Sequence, residues 1–296
     1  MAEAIELFEA AVARDSNYAP AWASLAESYT LLPHHLPAAP DSAAVARAFA
    51  AAESAARRAL TLDPNNASAR VALGNIRRDS WQWDTAAEEY LRALELEPDN
   101  VEARHQYAEY LFGVGRIAEG LENAEHAQSL DPLSGIRFAI VAGGRWLNDD
   151  CERAIEAGEL ALERTPSLRV VEVIIVGCYF HLGDLEASTD AVIRFWSESR
   201  QDSLNELAVQ RAVEAEDASL LPGGEWSEGL SADVWMAVGD TVTALDQLER
   251  ASFNPPYLVP YHLWNPAVDP LRDDPRFLAI MKRLNREGHK PMRTGR

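Results

Sequence analysis

The chain has 296 residues, 47% of them hydrophobic, with 16 glycines, 16 prolines and two cysteines. That length suits one large domain or two small ones with a core of their own, and ordinary glycine and proline usage excludes collagen-like and low-complexity chains. The formal charge of −20, from 27 Lys and Arg against 47 Asp and Glu, opposes binding to nucleic acid or an anionic membrane and favours basic partners.

Forty-nine residues are alanine, the best helix former because it loses no side-chain entropy. Only Lys282 and Lys290 are lysines, and residues 282–296 hold six cations against Glu287. Cys151 and Cys178 are too few for a disulfide framework or a four-ligand zinc site, so a reducing cytoplasm and buried thiols are expected. Near each other in a stack of helices, they leave a regulatory disulfide as an alternative. The longest apolar run, 170–180, is interrupted by Glu172 and too short to span a bilayer. The acidic start MAEAIELFEA lacks the basic region of a signal peptide.

A repeat organises the chain. Asp63-Pro64, Glu97-Pro98, Asp131-Pro132 and Thr165-Pro166 follow one another at 34-residue intervals. In the same phase stand Ala59, Ala93, Ala127 and Ala161; Ala52, Ala86, Gly120 and Ala154; and Gly74, Ala108 and Ala142. Small residues at fixed phase are what two helices need to cross at 8–10 Å.

Taken in order, residues 1–16 place Ala4, Phe8 and Ala11 as a second helix without its first, which predicts that Ile5, Phe8 and Val12 are left partly uncovered. Residues 19–64 form a pair with Trp22, Leu25, Ala26 and Tyr29 inward, lengthened by the proline-rich loop 32–42. Residues 67–98 give a first helix with Leu73, Gly74 and Ile76 inward. The second carries the stripe Ala86, Tyr90, Ala93 and Leu94, with Asp84 expected as N-cap and Pro98 as the stop. Residues 169–199 form a fifth unit with Phe195 where alanine is usual; 203–218 is helical without phase; 231–251 recovers a pair around Gly239-Asp240. In 264–284, Asp269-Pro270 and Asp274-Pro275 each look like an N-cap followed by proline, ahead of the face Phe277, Ile280, Met281 and Leu284. This reads as a cap over the last repeat.

These residues resemble the tetratricopeptide repeat (TPR) family over most of the chain. The resemblance implies an all-α fold, a right-handed superhelix (α-solenoid) of antiparallel helix pairs with a C-terminal capping helix. The expected organisation is a TPR array over 1–200, degenerate TPR-like helices and cap over 201–284, and a basic tail over 285–296. WQWD (81–84), HQYAEYL (105–111), SLDPLS (129–134), AVGDTVTALDQLERA (237–251) and DPLRDDPRF (269–277) further resemble the C-terminal TPR region of bacterial signalling and transcriptional regulators. That implies a non-catalytic, cytoplasmic scaffold for a peptide or protein. The alternative is the regulatory module of a larger nucleotide cyclase or Ser/Thr kinase whose catalytic domain lies upstream.

No motif rises to an active site. His34-His35 lacks converging ligands, Gly143-Gly144 and Gly223-Gly224 are not phosphate loops, and GxSxG is absent. No catalytic, cofactor-binding or metal residue is expected. In TPR arrays the first helices line a concave groove, and the register places Asn75, Arg78, Glu102, His105, Glu109, Phe112, Trp146 and Phe180 there. Ile136, Val170 and Val173 share that phase. The acidic end and the aromatic end together suit a basic or amphipathic peptide, although core packing competes for the three aromatics. A chaperone-type carboxylate clamp is disfavoured, because Val71 stands where a lysine belongs.

Overall fold

The computed structural model describes residues 2–32, 42–196, 208–209, 211–213, 215–221, 232–251, 263–284 and 291–293. His34-His35, Gly223-Gly224, the side chain of Phe195 and residues 203–207, 210 and 214 lie outside the described residues. The described elements are helical: α1 (Ala2–Arg14), α2 (Ala19–Leu31), α3 (Ser42–Leu62), α4 (Ala67–Asp79), α5 (Trp83–Leu96), α6 (Val101–Gly113), α7 (Ile117–Leu130), α8 (Gly135–Leu147), α9 (Cys151–Arg164), α10 (Arg169–His181) and α11 (Leu185–Trp196). Short helices Ala232–Ala237 and Thr241–Ala251, a 3-10 helix Pro266–Leu271 and a helix Pro275–Arg283 follow. The fold is the all-α TPR solenoid of antiparallel helix pairs with a capping helix. It divides into two compact units, Met1–Tyr110 and Leu111–Arg296.

Within the first unit, α2 pairs with α3 and α4 with α5, and α4 also packs on α2 and α3. Ala52, Ala59, Ala86, Ala93 and Ala108 are completely buried at the crossings. Tyr90 is completely buried as well. It lies flat on α4 at Gly74, where a Cβ would meet its ring at 2.6 Å. The half repeat is not left open. Ile5 and Val12 of α1 are buried in one cluster with Leu25, Leu73 and Ile76, and Phe8 is partly buried against it. Helix α1 covers α2 as a preceding second helix would, so the expected uncovered face is confined to residues such as Leu7, 64% exposed.

The second unit repeats the scheme, with α7 on α8, α8 on α9, α9 on α10 and α10 on α11. Ala127, Ala142, Ala154 and Ala161 are completely buried. Cys151 and Cys178 are both buried. In the cap, the 3-10 helix packs on Ala232–Ala237 and Pro275–Arg283 packs on Thr241–Ala251, burying Phe277, Ile280, Met281 and Leu284. No helix among the described residues is long and apolar enough to cross a membrane.

The backbone carries the 34-residue period as clearly as the side chains. The residue that reverses the chain between the helices of a pair is left-handed in four successive units: Trp81 at φ 61°, Gly115 at 81°, Asp149 at 66° and Gly183 at 74°. The left-handed Trp81 shifts the expected cap. Helix α5 begins at Trp83 behind Gln82, so Asp84 is not the N-cap but an acid in the first turn, where it still faces the positive helix end. Asp269 is likewise not a cap. It lies inside the 3-10 helix, whose cap is Asn265, while Asp274 does cap its helix by accepting from the Arg276 amide at 2.7 Å.

Replacing Ala93 or Ala127 with Leu is expected to lower stability by about 1–3 kcal/mol through overpacking; unchanged thermal melts of both variants would disprove the register. Gly183→Ala is expected to cost roughly 1–2 kcal/mol through backbone conformation alone, because nothing lies within 4 Å of the added Cβ. Chemical denaturation measures it.

Candidate partner-binding surface

In the first unit, the predicted groove residues converge into a polar network rather than a row of open side chains. Arg78 is 2% exposed. Its Nε donates to Asp79 at 2.9 Å, and its Nη1 donates to Gln106 at 2.9 Å and Glu109 at 2.8 Å. Gln106 in turn donates to Glu102 at 2.7 Å. The His105 ring lies 3.8 Å from Glu109. Asn75 accepts from the hydroxyl of Tyr90 at 2.7 Å. Burial works against the charge on Arg78, but Asp79, Tyr90 and Glu109 outweigh it and hold its pKa above the ordinary guanidinium value. Burial dominates at Tyr90 and pushes its pKa up, which keeps the hydroxyl a donor to Asn75.

Beside this network lies an aromatic cluster that periodicity alone did not single out. Tyr107 and Tyr110 stack at 5.8 Å, Tyr90 lies 6.2 Å and 5.8 Å from them, and Trp83 bridges Tyr110 at 6.3 Å to Trp81 at 5.6 Å. Offset and edge contacts of this kind add to area burial. Asn75, Arg78 and His105 are buried, while Glu102 and Glu109 are partly exposed.

In the second unit, two of the three predicted anchors act as packing groups. Phe112 is 1% exposed and presses on α8, where a Cβ at Gly144 would meet its ring at 2.5 Å. Trp146 is buried against Gly177 of α10, where a Cβ would lie 2.9 Å from its indole. Phe180 is half-buried. Open apolar surface lies about two to three turns earlier on the same first helices: Ile136 on α8, 50% exposed, and Val170 and Val173 on α10, 40% and 49% exposed. Helices α8 and α10 are in contact, and these three exposed side chains share the first-helix phase on elements whose other side is core. At the far end of these helices His181 pairs with Asp149 at 2.8 Å.

The C-terminal segment packs onto the turns of this second unit. Trp264 is completely buried, and its indole N–H donates to the carbonyl of Gly113 at 3.2 Å. Arg272 stacks over Trp264 at 5.2 Å and Phe277 at 5.0 Å and donates to Asp269 at 2.7 Å. Among the described residues, no group of three His, Cys, Asp or Glu is placed to hold a metal ion.

No protein-family model matches the chain, and no curated protein matches its sequence. Solved structures do match its fold. PilF of Pseudomonas aeruginosa, a TPR protein, superposes with a TM-score of 0.52 at 17% identity over 81% of this chain and 93% of that one. The Cut9-Hcn1 hetero-tetramer of the APC/C gives 0.55 at 14% identity over 95% of this chain and 45% of that one. A monomeric mutant of IFIT1 with Gppp-AAAA gives 0.56 at 14% identity over 96% and 64%. At such identities the likeness is one of fold.

Arg78→Ala strands Asp79 and Glu109 beside a cavity and is expected to cost about 3–5 kcal/mol, as breaking a buried pair does; urea denaturation of the purified variant measures it. Asp269 gives a pH dependence. Burial pushes its carboxyl up, but the Arg293 and Arg272 guanidiniums prevail and hold it below the usual carboxylate range. Its contribution is therefore complete above the ordinary aspartate pKa and lost as pH falls through the depressed folded value. Indole fluorescence of Trp264 should follow that loss in acid, and Asp269→Asn should move it toward neutral pH or abolish it.

Proposed function

We propose that the protein is a non-catalytic TPR scaffold that holds a peptide or protein partner on the exposed faces of its first helices. One observation carries this reading: Ile136, Val170 and Val173 stay exposed together on α8 and α10, although every close crossing in the same register is sealed by alanine or glycine. Large apolar side chains left exposed in one register on neighbouring helices mark an interaction surface. Phe180 extends that face, with Phe112 and Trp146 stiffening it from behind.

In the first unit the same helix faces present Glu102 and Glu109 over the Asn75, Arg78 and His105 network. Their acidity, within a chain of net charge −20, suits a basic or amphipathic segment. Long-range attraction then speeds association in a salt-dependent way. A solved structural neighbour lies within a protein hetero-tetramer, which supports a protein partner. Another was solved with Gppp-AAAA, but a phosphate backbone is attracted by cationic groups, and this chain carries the opposite charge. A cytoplasmic bacterial regulator is the setting we favour, with a regulatory module of a larger cyclase or kinase as the second reading, both resting on the motifs at 81–84, 129–134 and 269–277. No cofactor and no membrane enters either.

The test is capture of partners by the intact chain, followed by Ile136→Ser with Val173→Ser. Because both side chains are about half exposed, the melting temperature should stay near that of the parent while partner dissociation speeds at least tenfold. If capture is unchanged there but lost with Leu160→Ser on the outward side of α9, the first-helix assignment fails.

A further inference from the structure

Residues 291–293 lie along the helix ends of the second unit and bond to main-chain groups and to the carboxylate of Asp269. The amide of Met292 donates to the carbonyl of Gly115 at 2.6 Å, and the amide of Ala118 donates to the carbonyl of Met292 at 2.9 Å. Both main-chain groups of Met292 are thus used, its amide on Gly115 and its carbonyl on Ala118. They engage a carbonyl of the α6–α7 turn and an amide in the first turn of α7, where helices leave donors unused.

The next residue makes the arrangement specific. The Nε of Arg293 donates to the carbonyl of Leu147 at 2.7 Å, the C-terminal residue of α8. Its Nη1 donates to Asp269 at 2.6 Å and its Nη2 to the carbonyl of Trp264 at 2.6 Å. All three guanidinium nitrogens are thus used, Nε and Nη2 on main-chain carbonyls and both Nη1 and Nη2 on the carboxylate of Asp269, the second at 3.4 Å. A lysine has neither the planar fork nor the reach in three directions. The segment is held through the main chain of Met292 and the side chain of Arg293, and the side chain of Met292 is 62% exposed.

We propose that this edge, formed by Gly115, Ala118, Leu147, Trp264 and Asp269, is a docking site for an extended segment carrying an arginine. The chain's own residues 291–293 are its resident occupant. The inference rests on the scaffold reading and supplies it with a second class of partner contact, distinct from the apolar face of α8 and α10. An arginine-bearing segment of another protein competes for the same carbonyls and the same carboxylate. The attachment in cis acts as a local competitor, lowering the apparent affinity of an outside segment by the fraction of sites it fills. The acidic bulk of the chain assists the exchange, since six cations lie within 282–296 against a net charge of −20 overall.

The probe is a fluorescein-labelled peptide HKPMRTGR, which copies residues 289–296, read by anisotropy against the full chain. The parent should bind it weakly. Arg293→Ala and Met292→Pro chains, the second lacking the amide that donates to Gly115, should bind it at least tenfold more tightly, and the peptide with alanine in place of its arginine should bind neither. Equal affinity for parent and variants, or no binding to variants that keep the parent's helical circular dichroism, overturns the proposal. So does loss of the helical signal in both variants, because the segment is then part of the fold rather than a removable occupant. A parent that binds weakly only when concentrated enough to self-associate overturns occupancy in cis. Failure here leaves the Ile136 and Val173 experiment intact, so the two readings fall separately.

Discussion

The structure depends on the distance at which two helices can cross. A helix pair of this length has one apolar stripe per helix and cannot cover both by itself, so its stability comes from its neighbours. Stacking at close range demands that one residue at each crossing be almost absent. Ala59, Ala93, Ala127 and Ala161 meet that demand at 34-residue intervals, each completely buried. Large residues then fill the space beside the small ones. Tyr90 lies on Gly74, Phe112 on Gly144 and Trp146 on Gly177, so each ring is fixed by the lack of a Cβ opposite it. The high alanine content is therefore a packing requirement as well as a helix-forming one.

That constraint explains why the fold was legible and parts of the surface were not. The period of proline and alanine specifies which face of each helix meets a neighbour, and the buried positions follow it from α2 to α10. Register specifies a face but not the course of a long side chain. Arg78 belongs to the first-helix phase, yet its guanidinium turns into the unit toward Asp79, Gln106 and Glu109. Phe112 and Trp146 share the groove phase and are buried because glycine stands opposite. Ile136 and Val173, in the same phase, meet no such gap and stay exposed. The difference lies in the facing helix, which a one-dimensional pattern does not contain. Trp81 shows the same limit in the backbone: glycine at 115 and 183 announces a left-handed turn, whereas tryptophan at the equivalent position does not, and the start of α5 is displaced accordingly.

The C-terminal segment was readable as a cap but not as a fastening. Its helical face, Phe277 to Leu284, has a period and was visible. The contact of Trp264 with Gly113 links residues about 150 positions apart through a main-chain carbonyl, and no side-chain pattern encodes a carbonyl. The same holds for Arg293 and Leu147. Contacts of this type tolerate change in the residues that present them, because any residue there offers the same acceptor. They are strict only about the donor, so the identity that matters resides in Arg293 and Trp264.

The two exposed features of the second unit thus obey opposite logics. On the face of α8 and α10, recognition would come from apolar area contributed by side chains, indifferent to direction and weakly dependent on salt. Along the turns, recognition comes from main-chain groups at helix ends and from one carboxylate, strict in geometry and dependent on charge. A partner that used only the first would be retained by area and poorly oriented. One that used only the second would be oriented but held by few groups. A segment with an apolar stretch and an arginine satisfies both, and the acidity of the chain raises its local concentration before either contact forms. In the proposed ligand, basic and amphipathic character would then combine for separable physical reasons, one acting on the rate of encounter and the other on the rate of release.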